Sequence, residues 1–310
     1  MRLGFFGTPA FAVPSLRALL QRGHEIAGVF TQPDRPAGRG HAPRVSAVKR
    51  LALERALAIE QPETLRDPAV GERLRALAPE VIVVVAYGKI LPKSVLDLPP
   101  HGAINVHASL LPKYRGAAPI QRAILAGERA TGITIMQMNE RMDAGDILLQ
   151  EEVAIRPDDT AESLSGRLAE LGAQLIVVTL DRLARGLLAA RPQRDADATL
   201  APMVKKEEGA IDWTRSAAEI ERAVRAFTPW PSAYSSIAGK LLKIHRAGVC
   251  AVATRAAPGT VVRAGSDVLE VATGDGALCL LEVQLEGKRR LGTREFLAGK
   301  PLHEGDVLGR

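Results

Sequence analysis

Residues 81–86 read VIVVVA, an unbroken apolar run closed off by Tyr87 and Gly88. Side chains of a strand alternate between faces, so a run that is apolar at both parities leaves no face for water. Such a run belongs in the middle of a parallel sheet covered by helices on both sides. Working outward, similar short runs at 2–6, 25–31, 103–107 and 132–138 predict further strands. Helical periodicity predicts helices at 11–22, 45–58, 67–78 and 117–126, with a long one within 160–188. Strands alternating with helices make an α/β fold, an open and mostly parallel sheet whose strands are joined by crossover helices. Open sheets of this kind hold ligands beyond the carboxyl ends of their strands.

The pattern changes near residue 190. Residues 190–206 lack a clear period and hold two prolines among many small or charged residues, which reads as a linker. A helix is predicted at 216–227, followed by β-like runs near 241–245, 259–263, 268–272 and 277–285. Short strands at that spacing suggest a small barrel of the oligonucleotide-binding (OB-like) type, with a small sandwich the alternative. The 310 residues therefore divide into domains at 1–189 and 207–310, each large enough for a core of its own.

Composition narrows the class. Hydrophobic residues at 46% and charged residues at 25% exclude disordered and collagen-like chains. Two cysteines, Cys250 and Cys279, are too few for a disulfide framework; they read as small buried apolar groups, with one bridge between them the alternative. The longest apolar run is far below the roughly 20 residues of a membrane-spanning helix, and the first residues read as a strand rather than a signal peptide. A cytoplasmic protein with no membrane partner is expected. The net charge of +6 is concentrated locally, since residues 1–50 hold eight basic groups against Glu25 and Asp34. That balance suits an anionic partner such as RNA, or a solvated basic face with no partner.

Residues 31–43, TQPDRPAGRGHAP, follow a predicted strand and hold three prolines and two glycines, so neither helix nor ladder persists there. The stretch is either a surface connection or a basic flap whose Arg35 and Arg39 meet phosphates. Asn105 and His107 lie two apart at the end of the 103–107 strand, which sends both side chains to the ligand edge. Asp143 follows the next predicted strand in NERMDAGD and can orient the imidazole if the two strands are neighbours. Asp146 is an equally plausible carboxylate, with Gly145 supplying the unusual backbone angle of the turn. Single residues of these types also serve as structural groups or turn formers. No metal is expected, because the six His and two Cys show no paired ligand spacing. GFFGTPAF has only two glycines, and GxSxG and P-loop patterns are missing, which argues against dehydrogenase, hydrolase-elbow and P-loop chemistry. With no activated Ser or Cys, a substrate group is the more natural nucleophile. Trp213, Phe227 and Trp230 are expected as core and interdomain packing residues rather than base-stacking platforms.

The stretch around HASLLPKYRGAAP resembles the signature of the folate-dependent formyltransferases, and ITIMQMNERMDAGDIL resembles their aspartate-bearing segment. GTPAFAVPSL, TQPDRPAGRG, KEEGAIDW and AFTPWPSAY resemble the tRNA-acting branch of that family, in colinear order along the whole chain. The resemblance implies a Rossmann-like formyl-transfer domain followed by a barrel domain that helps hold tRNA. It implies transfer of a formyl group from 10-formyltetrahydrofolate to the free α-amino group of initiator methionyl-tRNA. It implies a catalytic trio at Asn105, His107 and Asp143, a folate-contacting loop at Ser109, Leu110, Leu111 and Pro112, and a tRNA-gripping loop at 34–44 with Arg35, Arg39 and Arg44. A monomer is expected. A sugar-nucleotide amine or glycinamide ribonucleotide as acceptor is the nearest alternative, and water as acceptor would make a hydrolase. A non-catalytic RNA-binding protein is the alternative from another class, and it leaves the Asn, His and Asp unexplained.

Overall fold

The computed structural model describes residues 1–36, 43–250, 252 and 254–309. They fall into two compact units that are interleaved in sequence. The first comprises Met1–Pro119, Ala130–Ala154 and Ser165–Ala201, the second Ile120–Arg129, Ile155–Leu164 and Pro202–Arg310.

In chain order the elements are β1 (Arg2–Gly7), α1 (Val13–Gln21), β2 (Glu25–Phe30), β3 (Arg35–Pro36), β4 (Pro43–Arg44), α2 (Ala47–Glu54), β5 (Ile59–Glu60), α3 (Pro68–Leu77), β6 (Val81–Val85), α4 (Lys93–Leu96), β7 (Ala103–His107), α5 (Pro119–Ala126), β8 (Ala130–Gln137), β9 (Ile147–Ala154) and α6 (Ala161–Ala184). The large sheet runs β5-β2-β1-β6-β7-β8-β9. Every residue of β6 is buried, as a doubly covered strand requires. Phe6 stacks on Phe30 at 4.3 Å and meets Tyr87 edge-on at 5.2 Å, within a core that also holds Leu74, Ile82 and Val84. Local signals set the helix starts. Ser46 Oγ accepts from Lys49 N at 3.0 Å to cap α2, and Asp67 caps α3 ahead of Pro68.

The sheet is mostly parallel, as expected, and departs from the reading at one predicted strand. β5, β2, β1, β6 and β7 are parallel, whereas β8, expected at 132–138 within a parallel set, runs antiparallel to β7 and pairs in turn with antiparallel β9. Periodicity marks a strand but carries no information on its direction. β9, with Gln150, Glu151 and Glu152 on an edge, and the two-residue β5 have too little apolar alternation to be read in advance.

The stretch 190–206, expected as a linker, divides between the units. Arg191 exchanges both backbone hydrogen bonds with Ile147, at 2.8 and 2.9 Å. Arg115 N donates to Thr199 O at 2.9 Å, and Ala201 N donates to Arg115 O at 2.7 Å. Residues 191–201 are thus a bound part of the first unit.

The second unit carries α7 (Ala217–Ala226), β10 (Ala233–Ile237), β11 (Lys240–Cys250), β12 (Val261–Ala264), β13 (Leu269–Ala272), β14 (Ala277–Leu285), β15 (Leu291–Gly292) and α8 (Thr293–Gly299). Its antiparallel sheet follows β10-β11-β14-β13-β12, with β15 beside β14; among the described residues no ladder joins β10 to β12. Trp213, Ile220, Val224, Leu242, Ile244 and Val283 share its core. Trp213 also donates from Nε1 to Ser235 Oγ at 3.0 Å, and Phe227 is buried, but Trp230 is 57% exposed and is not the packing residue expected. Cys250 and Cys279 form a disulfide, the alternative left open by the sequence; their strands β11 and β14 are neighbours, and the Cα atoms lie 5.7 Å apart. Arg122 of α5 belongs to this unit and pairs with both carboxylate oxygens of Glu208, at 2.6 and 3.0 Å, which holds that carboxyl below its ordinary range.

Ser216 and Glu219 make a reciprocal capping box at the start of α7. Glu219 N donates to Ser216 Oγ at 3.3 Å, and Ser216 N donates to Glu219 Oε2 at 3.1 Å. Ser216→Ala is expected to destabilise this unit by about 1 kcal/mol in denaturant unfolding. An unchanged midpoint would mean that the cap contributes nothing.

Candidate active site

β7 lies between β6 and β8, with Asn105 opposite Val84 on one side and Met136 on the other, and His107 opposite Thr134. Both side chains therefore leave one face near the carboxyl end of the strand, and both residues are buried. His107 Nε2 lies 2.9 Å from Tyr114 O. A carbonyl only accepts, so the Nε2 hydrogen is committed to it and Nδ1 is left for chemistry. Nδ1 faces Asp143 Oδ2 at 3.7 Å, longer than a hydrogen bond. The Asn105 carboxamide makes no hydrogen bond to any described residue.

Asp143 reaches this place by a return loop. β8 ends at Gln137 beside Ile104, at the start of β7, and β9 opens with Ile147 opposite Met136. Between these strands, the turn carries Asp143 back to His107. Gly116 N donates to Asp143 Oδ2 at 2.9 Å, which fixes the carboxylate. Two expectations about this turn divide. Asp143 is the carboxylate that faces the imidazole, and Asp146 contributes its backbone O to Gln137 N at 2.8 Å. The left-handed backbone belongs to Asp143 itself, at φ 48°, and not to Gly145. Gly145 is required for another reason: a Cβ there would stand 1.7 Å from Gln137 O.

The loop after β7 is fastened to the antiparallel strands. Thr134 Oγ1 donates to Ser109 O at 2.6 Å and accepts from Leu111 N at 3.1 Å. Gln150 Nε2 donates to Thr134 Oγ1 at 2.8 Å and to Leu111 O at 3.0 Å. Ser109 is fully buried, with its hydroxyl donating to Lys113 O at 2.6 Å. Leu111 is buried as well, whereas Leu110 and Pro112 are partly exposed. The side chains that this loop turns partly to solvent are therefore those of Leu110 and Pro112.

Further residues brace the turn, and none was found from sequence. Gln193 Nε2 donates to Asp143 O at 2.9 Å and to Gly145 O at 2.7 Å. Arg115, itself buried, donates to Gln193 Oε1 from Nε at 3.0 Å and from Nη2 at 2.8 Å, and Nη2 also meets Asp195 Oδ1 at 2.9 Å. Hydrogen bonds from Arg141 and Arg115 hold the Asp195 carboxyl below its ordinary range. Arg115 lies within the YRGAAP element, but Gln193 and Asp195 sit in a stretch whose composition signals only a connection.

The basic loop is described only at its edges. Arg39 lies outside the described residues. Arg35 and Arg44 are register partners in the antiparallel pair β3–β4. At its base, Lys49 and Gln61 both bond Asp34, the latter at 3.0 Å. Among the described residues no helix is long and apolar enough to cross a membrane.

A model of the formyl transferase family matches residues 1–180, and one of the formyl transferase C-terminal domain matches residues 203–301. The methionyl-tRNA formyltransferase of Citrifermentans bemidjiense is 49% identical over 310 residues, covering 100% of this chain and 97% of that one. The enzyme of the same name from Koribacter versatilis is 52% identical over 311 residues, covering 100% and 99%. The solved structure of methionyl-tRNA formyltransferase from Clostridium thermocellum shares the fold, with a TM-score of 0.57 at 17% identity over 81% of this chain and 94% of that one. Matched from end to end by relatives of half-identical sequence, the chain belongs to the formyl transferase family.

Proposed function

We propose that this chain transfers the formyl group of 10-formyltetrahydrofolate to the free α-amino group of methionine on initiator tRNA, giving N-formylmethionyl-tRNA. The observation that carries the reading is a full-length match to methionyl-tRNA formyltransferases in a chain whose Asn105, His107 and Asp143 converge at one strand end. In the transfer, a bond forms between the acceptor nitrogen and the formyl carbon, the bond from that carbon to the donor nitrogen breaks, and one proton passes from acceptor to donor nitrogen. 10-Formyltetrahydrofolate supplies an activated formyl carbon, so no side-chain nucleophile is needed, in keeping with a donor set of amide, imidazole and carboxylate.

Each side chain has a distinct part. Asn105 offers unengaged N–H donors to the carbonyl oxygen as negative charge develops there. His107 is fixed through Nε2 by the Tyr114 carbonyl, so Nδ1 is the nitrogen that exchanges a proton with the reacting amine. The Asp143 carboxylate, 3.7 Å from Nδ1, balances the charge that the ring gains. The loop of Ser109, Leu110, Leu111 and Pro112 would hold the folate, with Thr134 and Gln150 keeping it in shape.

Recognition of tRNA divides between the catalytic domain, 1–189, and the domain at 207–310. Arg35, Arg39 and Arg44 would grip phosphates of the acceptor end. Arg39→Ala is expected to raise KM for tRNA at unchanged folate KM and to reduce the salt slope of binding by about 1. An unaltered slope would remove Arg39 from the phosphate contacts. The reading includes action as a monomer and, with charged tRNA as substrate, a cytoplasmic location.

The deciding assay offers 10-formyltetrahydrofolate with methionyl initiator tRNA, methionyl elongator tRNA, an amino-sugar nucleotide or glycinamide ribonucleotide. Formylmethionine on initiator tRNA is the expected product. Formylation of a small amine in preference to tRNA, or release of formate without any acceptor, would overturn the reading.

A further inference from the structure

We infer that Gln193 is a positioning residue for turnover: its side-chain amide sets the Asp143 turn against His107. The inference rests on the reading of Asp143 as a participant in transfer. One amide group spans both sides of the turn, since Nε2 donates to Asp143 O and to Gly145 O, at 2.9 and 2.7 Å. The amide has one orientation available. Its Oε1 receives two hydrogen bonds from Arg115, a group with no acceptor, so a flipped amide would place donors against donors and an oxygen against two carbonyls.

The brace continues past Gln193 without a gap. Arg115 Nη2 pairs with Asp195 Oδ1 at 2.9 Å, and Asp195 Oδ2 receives Arg141 Nη2 at 2.6 Å. Arg141 stands two residues before Asp143, so the chain of bonds leaves the turn at Gly145 and returns to it at Arg141. The Arg115 backbone is held in turn by Thr199 and Ala201. Residues 191–201 therefore act on the site through Gln193 and Asp195.

The turn needs this support. Asp143 sits in the left-handed region, which costs an L residue energy that its neighbours must offset. Its carboxylate is 3.7 Å from Nδ1, a separation at which a small shift of the turn either makes or loses contact with the ring. Misplacement of a reacting group by about 1 Å costs on the order of 10²-fold in rate.

Three variants of the full chain test the inference: Gln193→Leu, Asp143→Asn and the double variant, each measured for kcat, both KM values and thermal unfolding. Gln193→Leu is expected to lower kcat by about 10- to 100-fold, with KM for folate and for tRNA within about threefold; because it leaves the buried Arg115 and two carbonyls without their partner, the unfolding midpoint also falls, in a protein that is still folded under assay conditions. Added to Asp143→Asn it is expected to cost less than about twofold more, because a residue that acts through Asp143 has nothing left to position. Gln193→Glu keeps the length and the Arg115 partner but replaces the donor by an acceptor, so it is expected to fall as far as Gln193→Leu. Parent-like kcat in Gln193→Leu, or effects that multiply in the double variant, would overturn the positioning role. Parent-like turnover in Asp143→Asn would instead remove the reading of Asp143 on which the inference rests.

Discussion

Asn105→Ala is expected to lower kcat by about 10²- to 10³-fold while KM for the formyl donor stays within about threefold. The size follows from where the group sits. β7 is paired on both sides, with Asn105 opposite Val84 and Met136, so the backbone that presents the carboxamide does not drift. The residue is 9% exposed, and its amide is not engaged by any described residue. A preorganised donor of this kind acts on charge that exists only in the transition state, and it needs no reorganisation at the moment of reaction. Its removal therefore appears in kcat and scarcely in binding.

Asn105→Asp separates that role from packing. Volume is nearly unchanged, but the N–H donors are replaced by an acceptor carrying negative charge, set against an oxygen that is itself becoming negative. Its turnover is expected to be no better than that of Asn105→Ala. Steady-state kinetics of both variants against formylfolate and methionyl-tRNA supply the measurement. If kcat held and folate affinity fell in either, Asn105 would be a ground-state contact and the oxyanion role would be withdrawn.

Asn105 and His107 were legible in the sequence because a period of two is a strong geometric statement: a strand that ends at His107 presents both side chains together. β6 was legible for a related reason, since an apolar run without a polar face has few other homes. Asp143 was named, but by a route the structure alters. The strand before it ends beside Ile104, away from His107, and only the return of the turn brings the carboxylate to the ring. Whether Asp143 or Asp146 faced the imidazole depended on a left-handed residue, which local composition attributed to Gly145.

Gln193 and Asp195 were illegible. Their partners, Arg115, Arg141, Asp143 and Gly145, lie far away in the chain, and their own neighbours RPQRDADA have the composition of a connection. A segment that docks by polar bonds to loops carries neither helical nor strand period. The same limit hid β9, whose exposed edge needs no apolar alternation, and it hid the direction of β8, which is set by the connection from β7. What a sequence shows well is which face of an element is apolar. What it shows poorly is which distant backbone groups a polar side chain will satisfy.

Gly145→Ala provides the second large effect, expected as a loss of about 1–3 kcal/mol in unfolding free energy together with about a 10²-fold fall in kcat. The added Cβ would stand 1.7 Å from Gln137 O and 2.9 Å from Gln137 C, which are backbone atoms of the strand that carries the loop. Nothing flexible is there to yield, so the turn itself must move by more than 1 Å, and with it the Gly145 carbonyl held by Gln193 and the Asp143 carboxylate held by Gly116. Gly166→Ala is the matched control. It makes the same chemical change within α6, where a Cβ would meet nothing within 4 Å, and a helical glycine replaced by alanine is expected to stabilise by about 0.5–1 kcal/mol. Urea unfolding and single-turnover formylation of both variants give the comparison. Were Gly145→Ala to match Gly166→Ala in stability and to retain the rate, the turn would be pliant, and the fixed placement of Asp143 on which the proposed chemistry depends would be lost.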